Sequence, residues 1–210
     1  MGMSHLSLSL GNATLADRLI GRGLTIDAVL ILTGVAFTSI AAQVATPAWP
    51  IQLTGQSMAV LVVGMALGSL RGAISIALYV LGGALGLPIF SNSTSGLDTI
   101  TGPAGGYILG FIAAAAFVGW VAQRGLDRTF LRAVASAAGG TVIIFLVGVP
   151  RLAVVSELSL GDAVAVGFVP LAVGGIVKLL VAAAINTAAW SALRRMEVRD
   201  ADRSSTVAAP

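Results

Sequence analysis

The chain contains one lysine, Lys178, and it interrupts the apolar run VGGIVKLLVAAA. It falls eight residues beyond Pro170, roughly 12 Å along a helix at 1.5 Å per residue. A lysine near the centre of a membrane span costs about 2.5–3.5 kcal/mol on the insertion scale. No aspartate or glutamate stands inside an apolar run to offset it; Asp27 is only at the start of the first. Either the ammonium snorkels outward or bonds backbone carbonyls, or it serves a polar ligand in the outer half of the membrane. Two further segments carry ligand-type chemistry. TPAWPIQLTGQS supplies neutral hydrogen-bonding groups at Gln52, Thr54 and Gln56. Its two prolines and Trp49 make a rigid loop, either an ordinary outer loop or a re-entrant one lining a cavity. TGPAGGYILG places Gly102 and Pro103 at a helix start, where open backbone N–H groups attract anions. Gly105 and Gly106 there serve either helix packing or close approach of a ligand to the backbone, and Tyr107 adds a flat face with a polar tip.

Other chemistries are excluded by composition. The chain has no cysteine, and its one histidine, His5, lies in the N-terminal tail, so cysteine nucleophiles, His-based triads and multi-His metal sites are absent. There is no GxxxxGKS/T motif, because the single lysine is followed by leucine. With no carboxylate inside the apolar runs, a proton-coupled carrier has no relay. Binding remains, without catalysis or a cofactor.

The elements that position these groups are membrane spans. Of 210 residues, 57% are hydrophobic and 10% charged, with a mean hydropathy of +0.97; a soluble domain carries roughly 25% charged residues. The expected fold is an all-α integral membrane protein of six transmembrane helices, at about 28–44, 56–70, 72–87, 103–122, 131–149 and 170–193. These form one membrane domain, 26–195, between polar, mobile tails at 1–25 and 196–210. Arg71 is the only break expected between runs two and three, Pro150 ends run five, and 156–162 forms an interfacial connector. The 27-residue lead before the first run is long for a signal peptide, so that run is expected to stay as a helix.

Six spans put Arg18, Arg22, Arg71, Arg124, Arg128, Arg132, Arg194, Arg195, Arg199 and Arg203 on one side and Arg151 on the other. That asymmetry places both termini in the cytoplasm. Trp120 and Trp190 then fall near the inner surface and Trp49 near the outer, as belt aromatics. The scattered arginines are a topology signal and not a nucleic-acid footprint. Gly34, Thr38 and Ala42 form a small-residue stripe on the first run, for packing inside the bundle or against a partner.

The ordered segments IQLTGQSMAVLVVGMALGSLRGAISIALYVLGGALGLPIF, GPAGGYILGF and PLAVGGIVKLL resemble BioY, the biotin-binding membrane (S) component of energy-coupling factor transporters. The resemblance spans about residues 28–193. It implies a six-helix binding protein in the bacterial inner membrane, with biotin near the outer face. It implies a transmembrane coupling subunit and cytosolic ATPases as partners; association with a second copy is left open. Carried over residue by residue, it implies ligand contacts at Lys178, Thr54, Gln56, Tyr79, Gly105, Gly106, Tyr107 and Gly175, and around Asn92. It implies a coupling-subunit contact around Ala36, Ser39 and Ala42. Gly175 stands where the family pattern has an aspartate, and Gln52 where it has a proline. Lys178 suits either the carboxylate or the ureido end of biotin. The alternatives are an S component for another vitamin and a structural membrane protein.

Overall fold

The computed structural model describes residues 8, 12–46 and 53–207, with side chains at all of these except 173 and 200–207. In chain order the helices are α1 (Leu15–Ile20), α2 (Leu24–Ala42), α3 (Gln56–Leu67), α4 (Ser69–Ala84), α5 (Leu97–Thr101), α6 (Gly105–Gln123), α7 (Phe130–Val155), α8 (Leu160–Gly167) and α9 (Val169–Val207). A short antiparallel ribbon joins α2 to α3, β1 (Ala45–Thr46) against β2 (Leu53–Thr54), so the fold is not purely helical. The intervening residues 47–52, with Trp49 and Gln52, lie outside the described residues.

Among the described residues, four helices are long and apolar enough to cross a membrane: Leu24–Ala42, Gly105–Gln123, Phe130–Val155 and Gly174–Arg199. Helix α6 sits at the centre, packed on α3, α4 and α7, while α9 closes the bundle over α7 and α3. The buried face of α6 is large at its start, with Tyr107, Ile108 and Phe111, and small further on, with Ala114, Ala115 and Val118 fully covered. Other large apolar side chains point outward, among them Leu32, Ile40, Leu131, Leu146 and Val177. An apolar exterior of this kind suits lipid and not water.

The break between α3 and α4 is at Gly68, not Arg71. Gly68 takes φ +88°, a left-handed conformation that side chains rarely adopt. A Cβ there would also crowd Gln123 Nε2 at 2.8 Å. The turn makes a tight hairpin, since a Cβ on Gly72 would lie 3.0 Å from the Gly64 Cα.

Arg71 is therefore inside the first turn of α4, and it is fully buried. Its guanidinium donates to Asp17 Oδ1 (2.8 Å), Asp27 Oδ1 (3.1 Å), Thr14 Oγ1 (3.1 Å) and the Leu67 carbonyl (3.0 Å). This cluster anchors part of the tail that was expected to be mobile. Thr14 and Asp17 form a reciprocal capping box on α1, which packs beneath α3 and α9.

Three further expectations change. Pro150 lies within α7 and does not end it; a proline in a packed apolar helix is tolerated where neighbours satisfy the freed backbone. The C-terminal tail continues α9 as helix to Val207, and Glu197 on it pairs with Arg18 at 3.1 Å. Trp190 is buried against Leu15 and Leu193 and so is no belt residue, whereas Trp120 is exposed, with Arg124 over its ring. In the α6–α7 turn, Asn186 Nδ2 donates to the Asp127 carbonyl (2.9 Å) and carboxylate (3.0 Å), clasping that turn to α9. Burial pushes the Asp127 carboxyl above its ordinary range despite that hydrogen bond.

Candidate ligand-binding site

A cavity of about 350 Å³ lies at the end of the bundle remote from the Arg71 cluster. That size is within the usual range for small-molecule sites. Its wall is assembled from the starts of α3, α6 and α9, the second half of α7 and the loop between α4 and α6. α3, α6 and α9 contribute because they begin at this face, and α7 because it runs past it with Thr141, Ile144 and Phe145. Leu61, Ile108, Phe111, Ile144 and Leu171 supply apolar surface. The Phe145 ring adds to it, meeting Tyr107 edge-on with centroids 6.1 Å apart.

The polar groups converge from three directions. Thr54, Gln56 and Ser57 come from the β2–α3 junction, Ser91, Thr94, Asp98 and Thr99 from the α4–α6 loop, and Lys178 from α9. Thr54 Oγ1 donates to Gln56 Oε1 at 2.8 Å, and Gln56 Nε2 donates to the Tyr79 hydroxyl. These bonds fix which way the Gln56 amide faces and leave it one N–H and one lone pair for a ligand. Lys178 is half-buried and, among the described residues, has no ion-pair or hydrogen-bond partner.

The structure thus brings together Thr54, Gln56, Tyr107, Gly175 and Lys178 from the expected set. Tyr107 contributes its ring; its hydroxyl is turned aside and donates to the Gly167 carbonyl at 3.0 Å. Four other expected residues do not line the cavity. Tyr79 is fully buried behind Gln56, which it orients. Asn92 is exposed and holds a left-handed turn (φ 53°), while its neighbour Ser91 reaches the wall. Gly105 is required by the close approach of the Ile100 carbonyl, and Gly106 by Arg151 and Val147 of α7. Both are packing glycines that let α6 start tightly against its neighbours. On α2, Ala36 is exposed and Ser39 half-buried, but Ala42 is fully buried in the core, so it presents no surface to a partner. The Gly34–Thr38–Ala42 stripe faces inward, with Gly34 against Ser75 and Val63.

The BioY family model matches residues 11–195. The chain belongs to the BioY family. Among its BioY relatives are the biotin transporter BioY of Thermotoga maritima, 36% identical over 74% of this chain and 92% of that protein, and a probable biotin transporter BioY of Pyrococcus horikoshii, 36% identical over 74% and 91%. The biotin transporter BioY of Rhizobium etli is 33% identical over 66% of this chain and 78% of its own. The fold matches a crystal structure of the S-component for biotin from an ECF-type ABC transporter, with TM-score 0.69 and 20% identity, covering 78% of this chain and 89% of that one.

Several wall residues of this BioY chain escaped the sequence reading. Asp98 is the most consequential, since it puts a carboxylate in the same cavity as Lys178. The signal was present, as an acidic residue inside the polar stretch SNSTSGLDTITG, but only the fold shows that stretch crossing the cavity. Gln43 was also missed. It pins the same loop to the end of α2, donating to the Phe90 carbonyl (3.1 Å) and accepting from the Ser93 N–H (3.0 Å).

Proposed function

We propose that this protein is the membrane-embedded biotin-binding subunit of a bacterial biotin uptake transporter of the energy-coupling factor type. The observation that carries the proposal is the cavity, apolar for most of its wall, with a lone lysine and the Thr54–Gln56 pair converging on it. Biotin presents complementary chemistry: a carboxylate, a ureido ring with N–H donors and a carbonyl, and an apolar thioether ring. The names of the relatives support biotin over other vitamins.

Six helices, α2, α3, α4, α6, α7 and α9, form the membrane domain, with both termini in the cytoplasm of a multi-pass inner-membrane protein. The ten arginines gathered away from the cavity support that orientation, even though Arg71 is interior to α4 and not in a loop. With 12 residues, α3 reaches only roughly 18 Å, so the α3–α4 hairpin fills the bundle without full-length spans. The cavity then opens outward, where biotin is captured. The chain has no nucleotide-binding motif, so energy comes from cytosolic ATPases through a transmembrane coupling subunit, docked on the α2 surface around Ala36 and Ser39.

Expression in a biotin-requiring bacterium that lacks its own biotin transporter tests this reading. Growth at limiting biotin, dependent on a coupling module supplied with the chain, is the expected result. Growth support for a different vitamin only would replace biotin as the ligand.

A further inference from the structure

Among the described residues the cavity wall carries one cation and one carboxylate, Lys178 on α9 and Asp98 in the first turn of α5. The protein neutralises neither. No ion pair and no side-chain hydrogen bond reaches either group, in contrast to Asp17, Asp27 and Asp127, each of which is paired or bonded. Asp98 also does not serve as a helix cap, since the turn at its end of α5 starts from Gly96 without a side-chain bond. Two opposite charges set in one cavity without mutual contact fit a ligand with a different polar group at each end.

Resting on the reading of biotin as the ligand, we infer that Asp98 is a ligand-contacting residue that accepts N–H donors of the ureido ring, while Lys178 meets the carboxylate. The assignment of ends follows from charge. A carboxylate side chain repels the ligand's own carboxylate, and the only N–H donors biotin offers are in its ureido ring. On α9 the cavity has room for the ligand beside Lys178. A Cβ on Gly175, one turn before Lys178, would meet nothing within 4 Å. The loop can hold Asp98 in place because Gln43 ties it to α2 and the Gly96 N–H donates to the Gly83 carbonyl at 2.7 Å. Asp98 thereby fixes the direction in which the ligand lies and selects for ring N–H donors.

The test measures dissociation constants of biotin, biotin methyl ester and 2-iminobiotin, whose ring is a guanidine that becomes cationic on protonation, for the detergent-purified chain and for Asp98→Asn. Melting temperatures without ligand serve as the folding control. Asp98→Asn is expected to melt like the parent, because Asp98 is exposed and holds no other group. It should weaken biotin and its methyl ester equally, by about 10- to 100-fold, and protonated 2-iminobiotin by more. Asp98→Glu should recover part of the loss, and Asp98→Ser should repeat the loss with a different side chain. Biotin affinity equal to the parent in both Asn and Ser variants overturns the inference and leaves the biotin reading standing. A loss that disappears with the methyl ester also overturns it, by placing Asp98 at the carboxylate end. A parent chain that binds none of the three overturns the biotin reading itself.

Discussion

Replacing Lys178 by methionine separates a ligand group from a structural one. The side chain is half-buried, lies on α9 beside the open space at Gly175, and has no partner among the described residues. Burying an unpaired charge is costly, so the empty protein should keep its melting temperature or gain a little when the ammonium is removed at nearly constant length. The liganded protein should behave in the opposite way. A hydrogen bond to a charged group contributes about 1.5–3 kcal/mol, which corresponds to about 10- to 150-fold in affinity. Biotin binding to Lys178→Met should fall by that amount, while biotin methyl ester, which has no carboxylate, should bind parent and variant alike. Isothermal titration with each ligand and a ligand-free melting curve read both quantities. Unchanged biotin affinity would refute the role of Lys178 at the ligand. Collapse of the empty protein would instead make the lysine a structural anchor.

Three other outcomes are expected. Arg71→Met strips Asp17 and Asp27 of a fully buried cation, and should cost about 3–5 kcal/mol in denaturant unfolding in detergent; a cost under about 1 kcal/mol would contradict the cluster's structural role. A cysteine at Thr94, exposed on the cavity-side loop of a chain with no native cysteine, should label from outside the cell, and labelling from the cytoplasm alone would invert the topology. Ala36→Trp, on the exposed face of α2, should abolish uptake but leave biotin affinity intact in purified protein; loss of both would mark a folding defect instead of a docking surface.

Local sequence made the long apolar helices legible, because lipid demands unbroken apolar runs whatever the tertiary contacts. The expected start of the second run at residue 56 matches α3, and the sixth run begins within a residue of α9. What local sequence hides is pairing across distance. Arg71 reads as a loop cation until Asp17 and Asp27, 54 and 44 residues away, are seen to bond it. Pro150 reads as a terminator because proline usually ends a helix in water, yet here α7 runs on for five residues beyond it. At the site, Lys178 was legible from its isolation and Thr54 and Gln56 from their polar character beside an apolar run. Asp98 was not, since nothing local distinguishes a loop that crosses a cavity from one that faces solvent. Gly105 and Gly106 show the reverse: their value to the fold is close approach to Ile100 and to α7, which sequence cannot separate from close approach to a ligand.

The most direct measurement is an equilibrium titration of the purified chain, without any partner subunit, against biotin and a panel of other vitamins. Saturable binding of one biotin per chain, with no saturation by the others, is the predicted result. Saturation by a different vitamin alone, or by none, would contradict the account.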